Sequence, residues 1–347
     1  MRKVLTLTLL VVAASFAKAQ QQAQYSQYMV NPFLINPSLS SAQDYVDIMT
    51  GYRSQWTGFD GAPETVYLSG HMPLNKPHVI MTHPGDYHNW YGIGGLIMQD
   101  KTGPISQTSF YGNFSYNLKI TEGHGFGLQH QDGIRLAFGM FLGGKQFSVN
   151  PNEIDLTGEG PGSGSFSDAA INAAAQSKFV ADASLGAYLY FGERFYVGFS
   201  SFQLFGNKIK YNETEESRLA RHYFYNIGAK FQLQRDWYFM PSILVKNVFP
   251  ATPSVDLNAR VDYKDTFYGG LSYRHGDALV AMLGTIIDLA PNNKKHYKLN
   301  IGYSYDITTS DIRTVSNGSH EVILGIQLPP MYVDRNAEDT WKFWKYK

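Results

Sequence analysis

Three groups of side chains in this sequence have residue types that could do chemistry. Ser69 and His71 stand two apart, so on a strand both fall on one face, where a hydroxyl nucleophile could meet an imidazole base. No third group that would orient the imidazole can be identified, and a structural role is the better reading. His78, His83 and His88 recur every five residues around Asp86, and imidazoles with a carboxylate are zinc ligands. That spacing aligns them on no helical face, and Pro84-Gly85 breaks the segment, which leaves ordinary loop histidines. Asn152, Glu153, Asp155 and Glu159 offer the oxygens that calcium takes, but not at the spacing of a calcium loop, and a solvated acidic loop accounts for them. The glycines sit within strands rather than between a strand and a helix, so no phosphate cradle forms. With no cysteine there is no thiol nucleophile, disulfide or cysteine metal site. No cofactor and no catalysis are expected.

A fourth group points to binding. Arg53, Trp56, Phe59, Asp60 and Pro63 surround a turn dense in Gly, Asp and Pro, and join aromatic anchors to charges as interaction hot spots do. An interfacial aromatic girdle is the plainer alternative.

The elements that would position these groups alternate with a period of two. Val46, Ile48, Thr50 and Tyr52 oppose Asp47, Met49, Gly51 and Arg53, and Val66, Leu68, Gly70 and Met72 oppose Thr65, Tyr67, Ser69 and His71. The same pattern recurs to Val322–Leu328 and makes about 14 strands, an even number, as single-chain bacterial barrels have. Pro241 lies inside one strand, cannot donate to the ladder and predicts a bulge there. The segment Ala169–Ala175 reads as one short helix. The long connections at 151–177, 207–218 and 309–318 fall on odd positions in strand order, and the tight turns at Gly192, Arg235 and Lys264 on even ones. Long outer loops and short periplasmic turns give that parity.

Composition agrees with a membrane barrel. Aromatic residues are 15% and charged ones 17%, with 24 Tyr and 22 Phe that could line two membrane interfaces. The 29 acidic and 29 basic side chains balance, so no field attracts nucleic acid. At the start, Arg2 and Lys3, the apolar run Val4–Phe16 and Ala17-Lys18-Ala19 read as a secretory signal before Gln20. That run is shorter than the about 20 residues a spanning helix needs. Residues 20–43 then form a lead-in. It holds Tyr25 and Tyr28 and two Asn-Pro steps, Asn31-Pro32 and Asn36-Pro37, which exclude a helix or a central strand. A lumen of this size is wider than the wall side chains fill, so this segment is expected to plug it. The barrel spans 44–328. A tail at 329–347 carries Trp341, Phe343, Trp344 and Tyr346 among lysines, which suits docking on the inner leaflet or on a periplasmic protein.

The stretches QYSQYMVNPFLINPSLS and YRSQWTGFDGAPETVYLSGHMPL, with Gly318-Ser319-His320-Glu321-Val322 near the end, resemble the PorP/SprF family of type IX secretion membrane proteins of Bacteroidetes. The resemblance implies a non-enzymatic outer-membrane barrel. It would deliver or retain a specific secreted partner, for example a gliding or attachment adhesin bearing a type IX carboxy-terminal domain, beside other secretion or periplasmic anchoring components. A diffusion porin or a transporter of small hydrophobic molecules is the alternative.

Overall fold

The alternation closes on itself. The computed structural model describes residues 22–58, 60–74, 89–121, 133–150, 153, 177–192, 194–210, 216–290 and 297–329. Its wall strands are β1 (Val46–Ser54), β2 (Glu64–Leu74), β3 (Trp90–Thr102), β4 (Ile105–Lys119), β5 (Ile134–Val149), β6 (Lys178–Phe191) and β7 (Phe195–Phe202). They continue as β8 (His222–Ala229), β9 (Trp237–Val248), β10 (Ser254–Tyr263), β11 (Phe267–Arg274), β12 (Ala278–Asp288), β13 (Lys298–Thr308) and β14 (Ser319–Leu328). Each pairs antiparallel with its neighbours in sequence, and β14 pairs with β1, so the sheet has no open edge. Phe231–Gln234 continues β8 along the same partner, β9, and occupies the same place in the ring. A small hairpin of Lys208–Lys210 with Glu216–Arg218 stands outside it.

The two faces divide as the period requires. Ile48, Leu68, Phe110, Phe138, Leu257, Leu271 and Leu283 point outward and are exposed, Leu271 at 68%. Asp47, Arg53, Ser69, Ser115, Asp182, Asn258, Asp306 and Glu321 point inward and are buried. An apolar outside around a polar, charged inside inverts a water-soluble sandwich and fits a barrel in hydrocarbon. Aromatic residues collect at strand ends, with Phe191, Phe195, Phe231, Trp237 and Phe267 at the end where β1 begins. That end is called proximal below, and the opposite one distal.

Three expectations change. Pro241 keeps its pairing with Ala259, and the β8–β9 register is the same on either side of it, Gly228↔Ser242 and Phe231↔Phe239. The missing N–H costs a gap in the ladder at Ala229–Lys230 rather than a bulge, and the register shift falls at Gln232/Gln234 instead. Tight turns also occur on odd connections, at Gly103-Pro104 and at His275–Asp277, so loop length separates the two ends less cleanly than sequence spacing suggests. In the lead-in, each Asn-Pro step starts a short 3₁₀ turn, Pro32–Leu34 and Pro37–Ser41, because proline at the first helical position has its φ preset and needs no donor. The segment Ala169–Ala175 lies outside the described residues.

Candidate functional site

The lead-in runs along the inside of the wall. Its residues contact inward-facing groups from the distal end down to the proximal end, where β1 starts. Ser26 lies deepest in charge. Its Oγ accepts from Arg53 Nη1 at 2.7 Å and lies 2.8 and 2.7 Å from the two carboxylate oxygens of Asp306. The backbone N–H groups of Ser26 and Gln27 donate to Glu321 Oε2 and Oε1, at 2.7 and 3.1 Å. Arg53 also pairs with Asp306 at 2.9 Å and Glu321 at 3.3 Å. Arg274 joins Asp306, Asp256 and Asp277, and Lys246 joins Asp256 at 2.9 Å. Arg53, Arg274, Asp306 and Glu321 are all almost fully buried, so each charge needs these partners to stand in the lumen.

Below this node the contacts are neutral apart from the Arg260–Asp262 pair. Tyr25 donates to Met98 Sδ, and its ring meets Tyr67 edge-on at 5.7 Å between centroids. Tyr28 OH accepts from Asn258, and Arg260 donates to the Met29 carbonyl at 3.0 Å while gripping Asp262. Burial pushes the Tyr25 and Tyr28 hydroxyls well above their usual range, which keeps both neutral. Asn31 donates to Ser69 Oγ at 2.9 Å, and Phe33 packs between His71 and Phe141.

The second Asn-Pro step is the tightest fit. Asn36 accepts from Ser38 N–H as the cap of its 3₁₀ turn, and its amide donates to the wall carbonyls of Ala187 and Phe199. Asn113 donates to the Pro37 carbonyl at 2.8 Å and Ser200 to that of Ile35. Gly139 and Gly186 make room: a Cβ on Gly139 would stand 2.3 Å from the Pro37 oxygen, and one on Gly186 2.1 Å from Asn36 Oδ1. At the proximal end Ser40 and Ser41 bond Ser115 at 2.7 and 2.8 Å, and Trp90 Nε1 donates to the Ser41 carbonyl at 2.9 Å.

The residues singled out in the sequence separate into different places. Tyr25, Tyr28, Asn31, Pro32, Asn36 and Pro37 come together in the lumen. Arg53 parts from the turn it precedes, because its strand phase aims it inward to the Ser26 node. Trp56 and Thr57 instead bond the β13–β14 connection, Trp56 N–H to Ser319 Oγ at 2.9 Å and Thr57 N–H to the Gly318 carbonyl at 2.7 Å. Asp60 is exposed and Pro63 half-buried on the same turn. Ser69 and His71 do not bond each other. Ser69 is engaged with Asn31, while His71 Nδ1 stands 3.3 Å from the Ser40 carbonyl and Nε2 3.9 Å from Asp47, so both serve the lead-in. Glu153 meets Lys101 at 3.0 Å and Asn150 at 2.9 Å, and these bonds hold its carboxyl below the usual range. Phe59, His78, His83, Asp86, His88, Asn152, Asp155, Glu159, Trp341, Phe343, Trp344 and Tyr346 lie outside the described residues. Among those described, no group of three His, Asp or Glu is placed to hold a metal. Sequence reasoning passed over Glu321 as a partner of Arg53, and Arg274, Asp256 and Lys246 as members of the same buried network. The available signal was a charge at the inward phase of each strand.

A family model described as type IX secretion system membrane protein PorP/SprF matches residues 17–326. No curated protein matches the chain in sequence. Among solved structures, it is similar to a Pseudomonas aeruginosa FadL homologue at 10% identity, covering 85% of this chain and 92% of that one with a TM-score of 0.46. The Ralstonia pickettii toluene transporter TbuX gives 9%, the same coverages and 0.46. The Pseudomonas putida toluene transporter TodX gives 10% identity over 90% of this chain and 95% of that one, with a TM-score of 0.44. At such scores these are general likenesses of shape.

Proposed function

The chain belongs to the PorP/SprF family of type IX secretion system membrane proteins, and from that membership we propose a docking barrel that binds without catalysis. Its family and its closed barrel support a place in type IX secretion at the outer membrane. In this reading the proximal end faces the periplasm and the distal loops face outward. The barrel presents those loops to a specific secreted partner carrying a type IX carboxy-terminal domain, such as a gliding or attachment adhesin, and holds it at the cell surface.

The observation that carries the reading is the occupied lumen. The lead-in makes hydrogen bonds to inward groups of β2, β4, β6, β7, β10, β13 and β14, and its 3₁₀ turns fill the space beside Gly139 and Gly186. In this reading the lead-in serves as a plug, and its contacts inside the wall support that role over a diffusion porin. The partner surface is assigned to the β1–β2 turn, with Trp56, Phe59, Asp60 and Pro63, which the β13–β14 connection holds in place. The aromatic tail at 329–347 is assigned to periplasmic docking.

Affinity capture of the detergent-solubilised barrel, joined to liposome swelling, tests this. A docking barrel retains a secreted protein bearing the carboxy-terminal domain and passes no small sugars. Free sugar flux with no such protein retained contradicts it.

A further inference from the structure

The Ser26 node sits at a particular place in the wall. Every ladder of the ring but one joins strands adjacent in sequence, tethered by the length of chain between them. The exception is β1–β14, running from Val46↔Leu328 to Ser54↔His320, which joins the two ends of the barrel and has no turn of its own. Its inward face carries a charged pair in direct register, Arg53↔Glu321, and Arg53 reaches past β14 to Asp306 on β13.

The lead-in completes this arrangement. Both oxygens of Glu321 receive a backbone N–H, one from Ser26 and one from Gln27, and Gln27 Nε2 donates to the Glu321 carbonyl at 3.0 Å. Ser26 Oγ bridges Arg53 to Asp306. At the proximal end the chain touches the seam again, where Gln327 of β14 donates to Tyr45 OH at 3.3 Å. Without the lead-in, two carboxylates on adjacent strands, each almost fully buried, would lose two backbone donors and a hydroxyl. Their mutual repulsion would then act between β13 and β14, and Arg53 alone would hold β1 to both of them across the ladder that closes the ring.

We infer that the lead-in is the clamp of the barrel's closing seam, with Ser26 and Gln27 locking Arg53 on the first strand to Asp306 and Glu321 on the last two. The inference concerns assembly and goes beyond the docking role, so either can fail alone.

The test is heat conversion of the folded full-length barrel on a semi-native gel. Ser26→Pro removes the donor to Glu321 and lowers the conversion temperature by several degrees. Because the chain has no cysteine, staples can be placed singly. Thr50→Cys with Leu324→Cys, registered partners across the seam, restores the Ser26→Pro chain. Phe114→Cys with Met140→Cys, across β4–β5, does not. Glu321→Gln, which keeps the size but leaves one of the two backbone N–H groups without an acceptor and Arg53 without that charge, lowers the temperature with rescue by the same seam staple and covers the case in which the proline variant does not fold. An unchanged conversion temperature in both variants, or equal rescue by the two staples, overturns the clamp.

Discussion

Adding one methyl group at Gly139 should release the lead-in. A Cβ there stands 2.3 Å from the Pro37 oxygen and 2.4 Å from both the Pro37 carbonyl carbon and Ser38 Cα, where ordinary contact begins near 3.4 Å. All three are backbone atoms, so no rotamer change relieves them, and the turn must move by about 1 Å. Hydrogen bonds weaken steeply over that distance. Four wall bonds centre on this turn: Asn113 to Pro37, Asn36 to Ala187, Asn36 to Phe199, and Ser200 to Ile35. At about 1 kcal/mol each, their loss removes about 4 kcal/mol of docking energy, a factor on the order of 10³ in the docked ratio. Ser40→Cys reports it, since that position is fully buried and no other thiol competes. Gly139→Ala should speed labelling of Ser40→Cys by a hydrophilic maleimide by up to that factor. Gly112→Ala, whose Cβ would meet nothing nearer than 3.8 Å, should leave it unchanged. Equal labelling rates in the Gly139→Ala chain and its parent would refute the fit described for Asn36-Pro37.

Three further outcomes follow from the same contacts. Arg53→Met leaves Asp306 and Glu321 buried with one cation fewer and should destabilise the folded barrel by about 3–5 kcal/mol, read by denaturant titration in micelles; a loss below about 1 kcal/mol would mean that the node is not buried as described. Ester hydrolysis should not exceed the buffer rate, and Ser69→Ala should change nothing, because Ser69 is engaged by Asn31; a Ser69-dependent turnover would restore the hydrolytic reading. Trp56→Ala with Asp60→Ala should weaken capture of the secreted partner at least tenfold while leaving the heat conversion of the barrel in place, and undiminished capture would move the docking surface elsewhere.

Much of the wall was readable because a pleated strand in lipid admits few patterns. Ile48, Tyr52, Val66 and Leu68 face hydrocarbon, and the residues between them must face inward. That phase already set Arg53 inside, yet its neighbours Trp56 and Asp60 made it look like part of a surface cluster. Its real partners are Glu321, 268 residues away in sequence, and Asp306, 253 away. Register across a closing seam brings them together, and no local spacing records it. The lead-in was legible as an interruption through Asn31-Pro32 and Asn36-Pro37. Its 3₁₀ turns and the glycines that receive them depend on the shape of the far wall. Pro241 shows the limit from the other side, since a residue that breaks local rules was accommodated by a gap in its neighbour's ladder.

A disulfide reports whether residues 22–42 occupy the lumen of the membrane barrel. Ser40→Cys with Ser115→Cys joins two hydroxyl positions 2.7 Å apart, one on the lead-in and one on the inner face of β4. The lumenal arrangement predicts oxidation of this pair in the folded barrel and none for Ser40→Cys with the outward-facing Phe114→Cys. Free thiols in the first pair, or a bond in the second, would contradict it.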